Sequence, residues 1–342
     1  MFKLKSVIRE NIAKLTPYSS ARDEFNGKGI FLDANENPFG ELNRYPDPYQ
    51  TTLKKKLSKL KGISAEKIFI GNGSDEVIDL AFRIFCTPGN DKALTFSPTY
   101  GMYDVSAAIN DIELLKIPLT SYFQIDEKLL KPFLKDLSLK IIFICSPNNP
   151  SGNLLKRSTI ENILANFNGI VIVDEAYIDF CKDDTCLNLL ANYPNLIVCQ
   201  TFSKAYGLAA ARVGIGYASE EIVQLFNKVK PPYNVSELNQ KAAIEALDNS
   251  EAYEENLNII LSERKKLATA LEELKIVLKV YPSNANFLLV ETINADVIYK
   301  DLVSQKIITR NRNNLVNNCI RISVGTPSEN KKLLQALKNI NL

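Results

Sequence analysis

The sequence predicts an α/β fold in which helices cover a mostly parallel sheet, and two observations support this. Three short apolar runs rich in β-branched residues, at 141–145, 170–173 and 196–199, lack alternation and therefore fit strands buried on both faces. Polar, helix-compatible segments such as residues 156–167 separate them, which is the order expected of strand–helix repetition. The 342 residues suffice for one large domain or two linked ones.

Two helices are predicted before the first of these runs. In the first, leucines recur at helical spacing and Gly62 follows as a cap, so the lysines of residues 54–61 are expected on a solvated face. The second helix is amphipathic, and the turn at residues 71–76 links it to the short apolar strand 68–70. The inward-facing leucines of the first helix are Leu53, Leu57 and Leu60, and the inward residues of the second are Val77, Leu80, Ala81, Ile84 and Phe85.

The last third of the chain predicts a smaller α+β unit. A helix-rich stretch at residues 237–274 is followed by strands at 287–290 and 319–324 and by a closing amphipathic helix at 329–340. No repeat or long linker interrupts the chain, so domain limits are approximate. We expect an N-terminal arm at residues 1–40, a large domain at 41–238 and a small C-terminal domain at 239–342.

The composition excludes several classes of mechanism. The chain contains no histidine, which rules out imidazole-based sites such as a serine-protease triad and most zinc centres. Its 41 basic and 39 acidic residues leave a net charge of +2, so the chain has no large positive charge that would favour the binding of nucleic acid. Proton transfer must therefore use Lys, Asp, Glu, Tyr, Cys or a bound cofactor.

We expect a cytoplasmic protein without a membrane span or a metal site. The N-terminus lacks the apolar core of a secretory signal, and no stretch approaches the ~20 apolar residues of a spanning helix. The 6 cysteines are scattered, and Cys145 and Cys199 fall inside apolar runs, which is typical of reduced thiols. Cys181 and Cys186 form a close pair, but without a second pair or a histidine they do not indicate zinc.

Reactive side chains follow each of the three apolar runs. The first run leads to Asn149, the second ends at Asp174 and Tyr177, and the third leads to Lys204. Ligands of open parallel sheets bind beyond the carboxyl ends of the strands. We therefore expect an amide, a carboxylate, a phenol and an amine to converge at one edge of the sheet.

The glycine-rich turn at residues 71–76 adds a candidate anion site. Its backbone N–H groups at a helix N-terminus suit a phosphate, although such a motif alone is more often a plain turn. Together with the groups above, it completes the contacts that pyridoxal phosphate requires: an amine for the Schiff base, a carboxylate for the ring nitrogen and donors to the phenolate oxygen. The phosphate could be neutralised by Ser203 and Arg212 beside the amides of Ser74 and Asp75.

Motifs along nearly the whole chain match one enzyme family in order and spacing. They lie at residues 15–18, 32–38, 44–48, 71–76, 97–100, 146–152, 174–177, 201–209 and 315–326. With these motifs the sequence resembles the aspartate-aminotransferase fold of pyridoxal-phosphate enzymes. Within that fold, the Asn-Glu-Asn-Pro segment at 35–38 and the Arg-Tyr-Pro-Asp segment at 44–47 make it similar to the histidinol-phosphate aminotransferases. The resemblance implies a large domain around a mostly parallel sheet and a smaller α+β domain.

The resemblance also implies a role for each candidate residue. Lys204 looks like the Schiff-base lysine, Asp174 like the partner of the ring nitrogen, and Tyr177 with Asn149 like the donors to the phenolate oxygen. Tyr100 would stack on the ring. The phosphate would be held by Ser74, Asp75, Ser203 and Arg212, with Tyr45 reaching across from the second subunit of a homodimer.

In the same family, substrate binding falls to Tyr18 and to arginines near the C-terminus, here Arg321 and Arg310. A second arginine, Arg312, departs from the usual pattern and leaves open which of the two faces the pocket. The implied reaction is a reversible transamination between L-histidinol phosphate and 2-oxoglutarate, giving imidazole-acetol phosphate and glutamate. The alternatives are an aromatic amino-acid aminotransferase, a phosphothreonine decarboxylase and a non-catalytic cofactor-binding sensor module.

Overall fold

A computed structural model describes residues 2–18 and 29–340 of the chain, and its largest element is a seven-stranded, mostly parallel sheet. The spatial order is β1-β7-β6-β5-β4-β2-β3, with β7 antiparallel to both of its neighbours and the other pairs parallel. This confirms the predicted fold class. The strands are β1 (Ile68–Asn72), β2 (Lys92–Ser97), β3 (Glu113–Pro118), β4 (Leu139–Cys145), β5 (Ile170–Asp174), β6 (Leu196–Thr201) and β7 (Val213–Tyr217).

The three central strands are buried on both faces, as their continuous apolar sequences predict. Every residue of β5 and β6 is buried, and in β4 only Lys140 is partly exposed. The register aligns Cys145 of β4 with Asp174 of β5, and Asp174 with Cys199 of β6. The three carboxyl ends therefore finish at one level, and the segments that follow them meet at the same edge of the sheet.

Helices cover both faces of this sheet. One face packs against α3, α4 and α7, with Phe82, Tyr103 and Phe226 in its core, and the other packs against α2, α6 and α8, with Leu57 and Ile163 in its core. No helix within the described residues is long and apolar enough to cross a membrane. The helices up to this point are α1 (Glu10–Lys14), α2 (Thr51–Lys61), α3 (Ser74–Phe85), α4 (Met102–Ile109), α5 (Glu127–Leu130), α6 (Arg157–Asn166), α7 (Glu220–Val229) and α8 (Glu237–Asp248).

A second, antiparallel sheet of four strands in the order β10-β11-β9-β8 forms a separate core in the last third of the chain. Its apolar face packs on three helices through side chains such as Leu271, Ile298 and Leu333. The elements are α9 (Ser250–Glu272), β8 (Val277–Val280), β9 (Phe287–Thr292), α10 (Ala295–Ser304), β10 (Arg310–Asn311), β11 (Cys319–Ser323) and α11 (Pro327–Lys338). The expected boundary at 238/239 falls within α8, whose Ala243 packs in the core of the large sheet, and the domain limits stay a prediction.

The lysine-rich helix α2 corrects one expectation. Leu53 and Leu57 are buried and Gly62 caps the helix with a φ of +67°, as predicted, but Leu60 is exposed and Lys54 is buried. Burial, together with the nearby charge of Lys230, lowers the pKa of the Lys54 amine to about 8. The spacing of the leucines did not reveal this because Lys230, whose charge acts on Lys54, is far away in the chain.

Candidate active site

The groups that follow the central strands surround a cavity of about 120 Å³ at the carboxyl edge of the large sheet. All the predicted cofactor-side residues except Tyr45 line it. They are Ser74, Asp75, Tyr100, Asn149, Asp174, Tyr177, Ser203, Lys204 and Arg212, joined by Cys145, Ala176, Thr201 and Ala209. The structure therefore brings together an amine, a carboxylate, a phenol and an amide from separate parts of the chain.

Asp174 provides a fully buried carboxylate at the end of β5. Its Oδ2 accepts a hydrogen bond of 2.7 Å from the Tyr103 hydroxyl, and its Oδ1 accepts one of 3.1 Å from the Ala176 N–H. Burial raises the pKa of Asp174, and these two hydrogen bonds oppose the rise. The arrangement suits a cationic N–H partner, which would compensate the buried charge.

Tyr103 is a contributor that the sequence reasoning missed. It lies on α4, three residues after Tyr100, and the two rings meet edge to face with centroids 5.6 Å apart. Tyr103 is fully buried and stacks on Phe143 with ring centroids 4.8 Å apart, which leaves its hydroxyl aimed at Asp174. The spacing from Tyr100 was the available signal, but a buried aromatic at helical spacing is usually part of a core.

Lys204 lies in the loop after β6, with its Nζ 5.6 Å from the centre of the Tyr177 ring. Burial lowers the pKa of this amine, and the positive charge of Arg321 lowers it further, whereas Asp174 and Asp75 act in the opposite direction. A lysine with a lowered pKa is neutral more often at pH 7 and is a better nucleophile and proton acceptor. Such an environment is typical of a functional lysine.

An amide, a phenol and a guanidinium form a chain across the two sheets. Asn149 Nδ2 donates to the Tyr177 hydroxyl at 3.4 Å, and Arg321 Nη1 donates to Asn149 Oδ1 at 2.5 Å. Arg321 comes from β11 and lies over the Phe287 ring, 5.1 Å from its centre. Burial raises the pKa of Tyr177 while Arg321 lowers it. Arg321 of the smaller sheet therefore contacts Asn149, one of the residues that line the cavity.

The glycine turn before α3 forms a cradle at the other end of the cavity. Gly73 adopts a φ of +76°, and its N–H donates to the Arg212 carbonyl at 2.8 Å. A Cβ on Gly214 would lie 2.2 Å from the backbone of Gly73 and Ser74, so the strand and the turn approach closely only because glycine is present. The first N–H groups of α3 and the guanidinium of Arg212 are therefore available to an anion.

The side chain of Asp75 connects the cradle to the cavity wall. It accepts hydrogen bonds from Arg212 Nη2 at 3.3 Å and from the Tyr100 hydroxyl at 3.1 Å. Asp75 therefore positions the two side chains that flank the cavity, in addition to the backbone role expected for it. Ser203 is held in a similar way, because the Thr201 hydroxyl donates to Ser203 Oγ at 3.0 Å.

The predicted substrate-binding residues do not line this cavity. Tyr18 is 72% exposed and does not line the cavity. Tyr45 lies outside the cavity of its own chain and stacks on Tyr233 with centroids 4.4 Å apart. Arg310 pairs with Arg321 across β10 and β11, while Arg312 is more enclosed than Arg310.

A larger cavity of about 660 Å³ lies near Tyr206 and Tyr253, away from the groups described above. Four of its charged side chains form two ion pairs, with Lys182 2.6 Å from Glu254 and Lys61 3.9 Å from Asp179. It lacks the convergence of an amine, a buried carboxylate and a helix N-terminus. We therefore place the candidate chemistry in the smaller cavity.

Comparison with known proteins identifies the family. A family model described as aminotransferase class I and II matches residues 22–337. The chain is 51% identical to a histidinol-phosphate aminotransferase of Cytophaga hutchinsonii, over 98% of this chain and 99% of the relative. It is 50% identical to one of Parabacteroides distasonis, over the full length of both.

Solved structures agree with this assignment. The histidinol-phosphate aminotransferase of Clostridium acetobutylicum superposes with a TM-score of 0.80 at 26% identity, over 87% of this chain and 90% of that one. The enzyme from Sinorhizobium meliloti, solved in complex with pyridoxal-5'-phosphate, superposes with a TM-score of 0.79 at 26% identity, over 89% of each chain. The chain belongs to the class I and II aminotransferase family.

Proposed function

We propose that the chain is a pyridoxal-phosphate-dependent aminotransferase that moves an amino group between L-histidinol phosphate and 2-oxoglutarate. The observation that carries the proposal is the cavity in which the Lys204 amine and the buried Asp174 carboxylate lie beside a glycine cradle at a helix N-terminus. Full-length relatives at 50% and 51% identity are named for this reaction. Arg321, which forms no ion pair within the described residues, supplies an anion site beside them.

The residues of the cavity fit pyridoxal phosphate. The close approach of Gly214 to Gly73 leaves the first N–H groups of α3 open to a phosphate. The buried Asp174 carboxylate suits a protonated ring nitrogen, because a cationic N–H would offset the cost of burying it. When bound, the cofactor supplies an aldehyde that reacts with amines and a ring that accepts electrons.

Lys204 anchors the cofactor and carries the proton to and from the substrate carbon. Its lowered pKa increases the share of neutral amine that can accept a proton near pH 7. Its Nζ lies close to the face of Tyr177, so the amine is held at the cavity instead of reaching into solvent. Asp174, held by the Tyr103 hydroxyl, would pair with the protonated ring nitrogen of the cofactor.

Arg321 binds the anionic end of both substrates. One of its N–H groups is used by Asn149 and its Nε forms no hydrogen bond with the described residues, so donors remain for a ligand. A planar guanidinium suits a phosphate and a carboxylate equally well in geometry, through paired N–H donors. One pocket can therefore accept the phosphate of histidinol phosphate and a carboxylate of 2-oxoglutarate in turn.

We also propose a cytoplasmic homodimer with shared active sites. Support comes from the segment before α2, which exposes large apolar side chains, among them Ile30 (91%), Phe39 (82%) and Leu42 (64%). Clustered exposed apolar side chains are typical of an interaction surface. In a dimer, Tyr45 would complete the cavity of the other subunit. The free cysteines fit a reducing compartment.

The proposed transamination can be tested by measuring its two half-reactions separately. Holoenzyme given L-histidinol phosphate alone should form one equivalent of imidazole-acetol phosphate per site, and later addition of 2-oxoglutarate should release one equivalent of glutamate, both measured by mass spectrometry. Lys204→Ala should give neither product. No transfer from histidinol phosphate, with phenylalanine transaminated instead, would favour the aromatic enzyme. Release of carbon dioxide from O-phosphothreonine would identify a decarboxylase.

A further inference from the structure

One carboxylate joins the two short motifs at residues 35–38 and 44–47. Glu36 Oε2 accepts a hydrogen bond of 2.7 Å from Arg44 Nη1, and its Oε1 accepts one of 2.6 Å from the Tyr45 backbone N–H. The Glu36 side chain is only 4% exposed, so water cannot readily replace either donor. The carboxylate therefore fixes Arg44 and Tyr45 together, although they lie eight and nine residues further along the chain.

Further bonds of this kind close residues 31–45 into a loop of fixed shape. Arg44 Nη1 also donates to the Phe31 carbonyl at 3.1 Å, and Asn43 Nδ2 donates to the Asn37 carbonyl at 2.8 Å. Residues 31–45 contain no helix or strand, so bonds from side chains to the backbone take the place of regular secondary structure. We call residues 31–45 the clasped loop.

The clasped loop presents the Tyr45 ring at the surface, outside the active-site cavity of its own chain. The ring stacks on Tyr233, with centroids 4.4 Å apart and planes 13° apart, and Tyr45 is 48% exposed. Lys230 Nζ donates to the carbonyls of Pro48 and Pro232, at 2.8 Å each, and so links the two segments that carry the rings. Tyr45 is therefore held both by its backbone and by its ring, while it stays accessible to a second molecule.

We propose that Glu36 is a positioning residue for the active site of the other subunit, because it sets the place of Tyr45, whose hydroxyl completes the phosphate cradle of a second copy of the chain. A phenol hydroxyl can donate to a phosphate oxygen, and such a bond depends on the position of the donor. Loss of the carboxylate would leave the Arg44 guanidinium and the Tyr45 N–H without this acceptor, so the loop would no longer hold the ring in one place. The clasped loop also exposes Leu32 (89%) and Phe39 (82%), which a second copy would cover. The inference rests on the proposed homodimer and places the effect of Glu36 in the cavity of the other subunit.

The first test measures the affinity of the apoenzyme for pyridoxal phosphate by equilibrium titration. Glu36→Ala and Tyr45→Phe should each raise the dissociation constant by about 10-fold, the effect of one lost hydrogen bond to a charged group. The double variant should bind no more weakly than Tyr45→Phe alone, because Glu36 acts through Tyr45. Glu41→Ala, which removes an exposed carboxylate from the same loop, is the matched control and should change the constant by less than about twofold. Additive losses, or no loss for Glu36→Ala, would overturn the inference.

A second test determines in which cavity Glu36 acts, using mixed dimers of two differently tagged chains. When one chain carries Lys204→Ala, the cofactor can be bound covalently only in the cavity of the other chain. Glu36→Ala placed on the chain with Lys204→Ala should weaken cofactor binding in that remaining cavity by about 10-fold, because the altered chain supplies its Tyr45. Glu36→Ala placed on the chain that keeps Lys204 should leave binding unchanged within about twofold. The bound cofactor is trapped with borohydride and measured from the intact mass of each chain.

The outcomes of the mixed-dimer test separate this inference from the proposed function. An equal effect in both arrangements, or a loss only when Glu36→Ala lies on the chain that keeps Lys204, would overturn the inference. If either result is found in a dimer that transaminates histidinol phosphate, the proposed function stands and only the inference is wrong. If the expected arrangement alone is impaired but histidinol phosphate is not a substrate, the proposed reaction is wrong and the inference stands. A wild type that sediments as a monomer would overturn the inference together with the proposed dimer.

Discussion

Replacing Gly214 with alanine should damage the cradle at the start of α3 without touching any reactive side chain. The added Cβ would lie 2.2 Å from the Gly73 carbonyl carbon and 2.2 Å from the Ser74 nitrogen. Carbon atoms in contact are normally about 3.5–4.0 Å apart, so strand β7 and the turn must separate by more than 1 Å. Both contacts are with backbone, which cannot rotate away as a flexible side chain could.

We expect Gly214→Ala to lower the free energy of unfolding by about 3 kcal/mol, the upper part of the range for overpacking. For a chain of 342 residues, this corresponds to a fall of about 4 °C in the midpoint of thermal unfolding. The dissociation constant for pyridoxal phosphate should rise by at least about 10-fold, because the N–H groups at Gly73 and Ser74 are displaced from the phosphate.

The assays are thermal unfolding followed by circular dichroism and equilibrium binding of pyridoxal phosphate to the apoenzyme. Gly216→Ala is the matched control on the same strand, since the three atoms nearest its Cβ would belong to side chains, those of Val77 at 3.3 Å and Phe69 at 3.7 Å. That variant should cost less than about 1 kcal/mol and leave cofactor affinity within about twofold. The same thermal midpoint and the same cofactor affinity for both variants would refute the steric argument.

Two further predictions concern buried charges. Asp174→Asn should still bind the cofactor but lower kcat by about 100-fold or more, because the neutral amide no longer stabilises a protonated ring nitrogen; a smaller loss in steady-state assays would contradict this role. Lys54→Met should raise the free energy of unfolding at pH 7 by about 3 kcal/mol, because burial and the charge of Lys230 lower the pKa of Lys54 from 10.5 to about 8. Between these pH values the unfolded wild-type chain binds more protons than the folded chain. The cost of burying charged Lys54 is therefore complete below pH 8, and the stability gained by Lys54→Met should vanish toward pH 10.5. Urea unfolding of the wild type and of Lys54→Met at pH 7 and pH 10 measures this difference in stability. An equal gain in stability at both pH values would contradict the lowered pKa of Lys54.

Much of the candidate site could be predicted because its chemistry follows local sequence signals. Asp174 and Lys204 each follow an apolar strand, and the carboxyl ends of parallel strands meet by geometry, so their proximity did not depend on details of packing. The turn containing Gly73 was recognisable from its glycines and the amphipathic helix after it. The roles of these residues stay predictions until the experiments above are done.

Other features depended on partners that are far apart in the chain. Tyr103 resembled a core aromatic until the fold placed its hydroxyl on Asp174, 71 residues away. Lys54 was expected on a solvated face, but in the folded chain it is buried and lies within reach of the charge of Lys230. The sequence left Arg310 and Arg312 as alternatives, and only the folded chain shows that Arg312 is the more enclosed of the two.

The sequence by itself determined which strands are buried, which reactive groups follow them and to which family the motifs are similar, because periodicity and spacing along the chain are local properties. Only the tertiary structure decided which hydroxyl holds Asp174, which lysine lies buried and which arginine lies opposite Arg321. Hydrogen bonds, desolvation and repulsion between charges depend on distances in space, and residues far apart in the chain acquire those distances only when both sheets have formed.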